Sequence, residues 1–182
     1  MTVTRRLFMI SGLAGTAGLA ACGAPRSGSE IESRVRQSRA TLFAQNPELQ
    51  ELASRSAGVL IIPEIVEGSF VVGGAYGEGA LMVGDAVVDY ISVGAASFGL
   101  QIGAQAFGQA LFFTTPEALA KFRQADGWQL GVDAEVAVLE DGVAFGTSTS
   151  TLSQPVYEVI YGQRGLIIGA SLEGAKYNRL IR

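Results

Sequence analysis

Thirteen lysines and arginines, seventeen aspartates and glutamates and a single cysteine carry the chemistry this chain can offer, and histidine is absent. Arg34, Arg36 and Arg39 fall within six residues of "SRVRQSR", and Lys176, Arg179 and Arg182 lie close together at the other end. Guanidinium and ammonium groups grouped in this way suit phosphate or carboxylate oxygens. Asp133, Glu135 and Glu173 could share a cation or a proton if their strands met. Without histidine there is no Ser-His-Asp or Cys-His arrangement, no histidine zinc ligand, and no side chain whose ordinary pKa lies near neutrality. Polar faces of one-sided strands carry acids routinely. The three carboxylates are therefore read as solvated, and neither catalytic residues, a metal nor a cofactor is expected.

The cysteine has a more specific setting. Arg5 and Arg6 precede an uncharged run from Leu7 to Ala21, which has the charged and apolar regions of an export signal. The run is short for a membrane span, which needs about 20 residues. "TRRLFM" resembles the twin-arginine pattern, and Leu19-Ala20-Ala21-Cys22 resembles the lipobox of bacterial lipoproteins, in which the cysteine thiol takes a diacylglycerol and becomes the new N-terminus. Residues 1–21 are then an export signal, 22–30 a lipidated tether of small residues ("GAPRSGSE"), and 31–182 a single domain. By resemblance to lipoprotein sorting rules, Gly23 in place of aspartate directs the chain to the periplasmic side of an outer membrane. Removing Arg5 and Arg6 leaves eleven basic against seventeen acidic residues, a net charge of -6. That balance gives no reason to bind nucleic acid.

The elements that would position these groups follow from periodicity. Ile31, Val35 and Leu42 recur at helical spacing with the three arginines between them, predicting an amphipathic helix with a basic flank. "NPELQELASRSA" predicts a second helix, with Asn46 as cap and Pro47 in its first turn. "GVLIIP" reads as a strand covered on both faces and stopped by Pro63. Two long runs rich in Val, Phe and Gly follow, up to Thr115. "TPEALAKFRQADGW" predicts a helix capped by Thr115 and ended by Gly127. Alternation from Leu130 to Val138 predicts another strand. A loop from Asp141-Gly142 then leads to a closing hairpin that turns near Gly162 to Gly165. The expected class is α+β: an antiparallel, glycine-rich β-sheet or partly closed barrel, with N-terminal helices and one helix between strands.

"GGAYGEG" is not a nucleotide cradle, because it runs into the strand-like Leu81-Met82-Val83 instead of opening a helix. Its glycines are expected to permit bulges and close strand packing. Taken together, "AGVLIIPEIVEGSFVVGGAYGEGALM", "YISVGAASFGLQIGAQAFGQALFF", "ALAKFR", "GVDAEVAV" and "RGLIIGASLEGAKY" resemble, over residues 30–182, the SYLF domain, also called the yeast actin-binding protein domain. The resemblance implies a non-enzymatic domain that binds membrane lipid. Eukaryotic relatives bind phosphoinositides and some bind actin, with an N-terminal amphipathic helix and basic residues at the membrane. It points to Arg34, Arg36 and Arg39 as lipid-binding residues; Lys176 and Arg179 at the other end of the chain are expected to join them, and the lipobox pattern makes Cys22 the lipidation site. The export signal and acidic domain make anionic bacterial phospholipid the expected partner rather than phosphoinositides or actin. The alternative is a scaffolding lipoprotein that meets another envelope protein through its sheet.

Overall fold

The computed structural model describes residues 26–139, 154–165 and 174–182. The export signal, Cys22, the Asp141-Gly142 turn and the stretch from Leu166 to Glu173 lie outside the described residues.

Helix α1 (Gly28–Gln45) begins in a reciprocal cap: the Ser27 hydroxyl accepts from the Glu30 N–H, and the Glu30 carboxylate accepts from the Ser27 N–H at 2.7 Å. Ile31, Val35, Leu42 and Phe43 form its buried stripe. Helix α2 (Pro47–Arg55) buries Leu49 and Leu52. Asn46 does not cap it with its side chain. Its Nδ2 and its N–H both donate to the Leu42 carbonyl, at 3.1 and 2.9 Å, so Asn46 closes α1, and Pro47 starts α2.

The sheet is built on one long hairpin. Strand β1 (Gly58–Val83) pairs antiparallel with β2 (Ala86–Phe113), from Gly58 opposite Phe113 to Val83 opposite Ala86, across a two-residue loop in which Gly84 has a φ of 59°. Twenty-six extended residues would reach roughly 85 Å, far longer than a usual strand, so the ribbon has to curl. Bulges at Ile62/Ile65 and Ser69/Val71 bend it. Pro63 therefore does not stop the strand. It occupies a bulge, where a residue without an N–H costs no ladder bond.

Gly77 and Gly79 bring the two halves of β1 together. A Cβ on Gly79 would lie 2.1 Å from the Ile61 carbonyl oxygen, and one on Gly77 would lie 2.8 Å from that of Glu64. The glycines of "GGAYGEG" thus serve close backbone approach, as expected, and the result is a partly closed barrel. "GVLIIP" is covered on both faces: Leu60 and Ile62 face inward, and Val59 and Ile61 face outward.

Helix α3 (Pro116–Gln124) is capped by the Thr115 hydroxyl, which accepts from the Ala118 N–H at 3.1 Å. It leads through Gly127, whose φ is 83°, to β3 (Trp128–Gln129). The predicted strand from Leu130 to Val138 is interrupted. With Gly131 at φ 75°, residues 130–134 turn, and the Asp133 carboxylate accepts from the Gln129 N–H at 2.6 Å; pairing resumes only at β4 (Val136–Leu139).

Strands β5 (Val156–Gly165) and β6 (Lys176–Leu180) correct a further expectation. They do not form a hairpin. β5 continues unturned through Gly162 to Gly165, and the two strands pair with successive parts of the β2 edge left free by β1, both antiparallel to it. β3 joins the outer edge of β6, and β4 pairs in parallel with β5, the one parallel pairing among the described residues.

Two cores result. The inner face holds Leu60, Ile62, Phe107, Leu111, Phe113 and Tyr177, closed by Phe122 of α3 and by Trp128. Phe122 packs edge-on against Trp128 and Tyr177 with ring centroids 5.2 and 6.2 Å apart. The outer face holds Val59, Ile61, Ala110, Phe112 and Val159 beneath α1 and α2.

Candidate lipid-contact surface

The three arginines of α1 flank its buried stripe on opposite sides, as their spacing at about 100° per residue requires. On one side, Arg34 pairs with Glu64 on β1 at 2.9 Å. On the other, Arg36 donates through Nε and Nη2 to Glu32 at 2.9 and 2.7 Å and reaches the Asp85 carbonyl, while Arg39 pairs with the Asp85 carboxylate at 2.7 Å. The Arg39 guanidinium also stands 5.3 Å over the Phe43 ring. Its hydrogen bond and charge hold the Asp85 carboxyl below the usual carboxylate range, with Arg36 adding to the effect. The predicted basic flank is therefore two separate groups, each paired with acids.

Lys176 and Arg179 also part company. Side chains alternate along β6, so Arg179 shares the inner side with buried Tyr177, while Lys176 is exposed on the other side. Arg179 pairs with Asp89 at 3.3 Å, and Arg123 of α3 pairs with the same carboxylate at 2.7 Å. Arg179 also donates to the Arg123 carbonyl. Asp89 lies nearly buried beneath the two more exposed guanidinium groups.

A third cluster joins the two ends of the described chain. Glu78 on β1, with its side chain only 4% exposed, pairs with Arg182 at 2.9 Å and with Arg26 at 3.6 Å. The Tyr76 hydroxyl donates to the same carboxylate at 2.9 Å. Burial, followed by this carboxylate, pushes the Tyr76 hydroxyl pKa up. The Tyr76 side chain remains well exposed, and Ile181, next to Arg182 in sequence, is 96% exposed. Sequence reasoning missed Arg26, Tyr76 and Glu78, because Arg26 and Arg182 stand at opposite ends of the chain. Only the sheet register, with Glu78 opposite Ser92 and Ser92 opposite Asn178, brings them together.

These clusters share a location. Glu78, Asp85 and Asp89 all belong to the last stretch of hairpin around the Gly84-Asp85 loop, so Arg26, Arg36, Arg39, Arg123, Arg179 and Arg182 gather at that end of the sheet. Six arginines meet four carboxylates in ion pairs there, counting Glu32, and Glu30 beside Arg26 and Asp126 in the cleft lined by Arg123 and Arg179 bring two more acids, so this end is dense in arginine but balanced in charge. Arg34, beside Glu64, and Lys176, at the other end of β6, lie apart from it.

The carboxylates considered for cation or proton chemistry do not converge in what is described. Asp133 and Glu135 are exposed, Asp133 holds the turn after β3, and Glu173 lies outside the described residues. Among the described residues, no group of three or more Cys, Asp or Glu is placed to hold a metal ion. The most deeply buried acid among the described residues is instead Glu158, 2% exposed on the inner face of β5. It accepts from Gln109 Nε2 at 2.6 Å, while the Tyr177 hydroxyl donates to Gln109 Oε1 at 2.9 Å. Burial drives the Glu158 carboxyl pKa up, and burial with the nearby Glu158 charge drives Tyr177 the same way. Among the described residues, no helix is long and apolar enough to cross a membrane.

Against known proteins, the model of the Ysc84 family, described as Las17-binding protein actin regulator, matches residues 94–179. The match begins within β2, so it contains Arg123, Lys176 and Arg179 and leaves α1, α2 and β1 outside. No curated protein matches the chain.

Proposed function

Across residues 94–179 the chain is a member of the Ysc84 (SYLF) family of lipid-binding domains, and on that premise we propose that it is a non-enzymatic envelope lipoprotein. In this reading acylated Cys22 holds it on the periplasmic side of an outer membrane, and the domain contacts anionic phospholipid. The observation that carries the reading is the gathering of six arginines at the loop end of the hairpin, in a domain that is otherwise acidic. Basic side chains near an anionic bilayer contribute about 1 kcal/mol each, and only if they share a location. Arg36, Arg39, Arg123, Arg179 and Arg182 meet that condition, whereas Arg34 and Lys176 do not. Fatty acyl chains add about 0.8 kcal/mol per buried methylene, so the anchor supplies residence and the arginines supply headgroup preference. The actin-regulating role in the family description does not carry over to an exported chain.

Expression in a bacterial host with an alkyne fatty acid tests the reading. Label is expected on the chain and lost in Cys22→Ser, with the labelled form in the outer-membrane fraction. An unlabelled wild-type chain would contradict the anchor.

A second reading rests on β4, the last strand on its side of the sheet among the described residues, where Val138 is exposed. A protein partner could add to that edge. In-cell crosslinking through a photoreactive residue at Val138 should then trap one discrete protein.

A further inference from the structure

Arg26 is the first described residue, and in sequence it stands four residues after Cys22. Four trans peptide steps span at most about 14 Å, whatever conformation they take. If Cys22 is acylated, the corner of the domain that holds Arg26 lies close beside the bilayer surface. The side chains at that corner suit this position. Arg26 and Arg182 share buried Glu78, with the Glu30 carboxylate also beside Arg26, and Tyr76 donates its hydroxyl into the Glu78 carboxylate. Tyr76 is nevertheless 53% exposed, and Ile181, next to Arg182, is 96% exposed. An exposed tyrosine with its polar end tied down, an exposed isoleucine and flanking arginines have the composition of an interfacial anchor. Large apolar groups standing in water beside basic ones fit a lipid surface better than bulk solvent.

We infer that the Arg26, Tyr76, Ile181 and Arg182 corner is the face that seats on the membrane, with Ile181 entering the interfacial layer between anionic headgroups. The Glu78 clamp fixes the angle of the domain, because it ties Arg26, within the tether, to Arg182 beyond the end of β6. Helix α1 then stands beside the bilayer rather than lying in it, its apolar stripe being already used against the sheet. This inference rests on acylation of Cys22, as proposed above.

The experiment uses the lipidated mature chain in vesicles of phosphatidylglycerol and phosphatidylethanolamine. Cys22 is the only cysteine and is blocked by its acyl group, so Ile181→Cys and, separately, Val132→Cys each give one site for an environment-sensitive fluorophore. Val132 is 70% exposed and lies in the turn at the opposite end of β6, where Leu130 pairs with Ala175. The expected result is a blue-shifted Ile181 probe, quenched severalfold by lipid-borne nitroxide, and a Val132 probe that stays in water. Vesicle-bound protein with the Ile181 probe in water, or with both probes quenched alike, overturns the seating and leaves the anchor standing. Protein that does not float with the vesicles overturns both.

Discussion

At the scale of single residues, two positions constrain this molecule most tightly. Gly79 cannot carry a side chain without colliding with the Ile61 backbone, since a Cβ there would lie 2.1 Å from a carbonyl oxygen that has no rotamer to escape into. Gly79→Ala should cost about 1–3 kcal/mol, the range for forced overpacking, and thermal unfolding should show the loss. An unchanged melting temperature would mean that the halves of β1 do not touch. Glu158 makes a prediction of opposite sign. Its folded pKa is raised, so the stability linked to its protonation is fully present below the ordinary carboxylate range and is lost as pH rises through the folded value. Each unit of that rise costs about 1.4 kcal/mol once the group ionises. Glu158→Gln keeps an oxygen to accept from Gln109 and removes the charge. It should match the wild type in acid and be more stable at neutral pH. Denaturant unfolding at several pH values checks this, and parallel profiles for the two proteins would contradict it. The glycine role was legible in the sequence, because the failed nucleotide pattern left close packing as the remaining reading. The role of Glu158 was not, because nothing in "VYEVIY" says which face of the strand meets the interior.

Among the elements, α1 separates what periodicity reveals from what only tertiary contacts decide. The spacing of Ile31, Val35 and Leu42 marked the buried stripe correctly, since that spacing is local geometry. Whether Arg34, Arg36 and Arg39 act together depends on Glu64 and Asp85, which lie far along the chain. The long hairpin repeats the lesson. Pro63 read as a strand end, because a bulge that accommodates it exists only when β2 is alongside. β5 and β6 read as a hairpin, because glycines suggest turns whereas only the β2 register shows two strands sharing one edge. The split of α1 leads to a test. Arg34→Gln should leave partition onto anionic vesicles unchanged within about twofold, whereas Arg36→Gln with Arg39→Gln should weaken it by roughly fivefold per charge, following the contribution of about 1 kcal/mol per basic group. Equal losses from both variants would restore a single basic flank.

For the whole molecule, a sheet curled on itself and covered outside by α1 and α2 has left one end, around the Gly84-Asp85 loop, where six arginines gather. That end also carries Arg26, from which the tether leads back to Cys22. The architecture was anticipated in class, α+β with a partly closed antiparallel sheet. The clustering of charge was not, because it joins residues from both termini, both helical regions and the central hairpin. The proposed function requires that the domain bind phospholipid without its anchor. The most direct measurement is co-sedimentation of the mature Cys22→Ser chain with phosphatidylglycerol and phosphatidylcholine vesicles across a salt series. Binding to phosphatidylglycerol is expected to fall steeply as salt screens the arginines, with little binding to phosphatidylcholine. Equal binding to both vesicles at every salt concentration, or binding to neither, would contradict it.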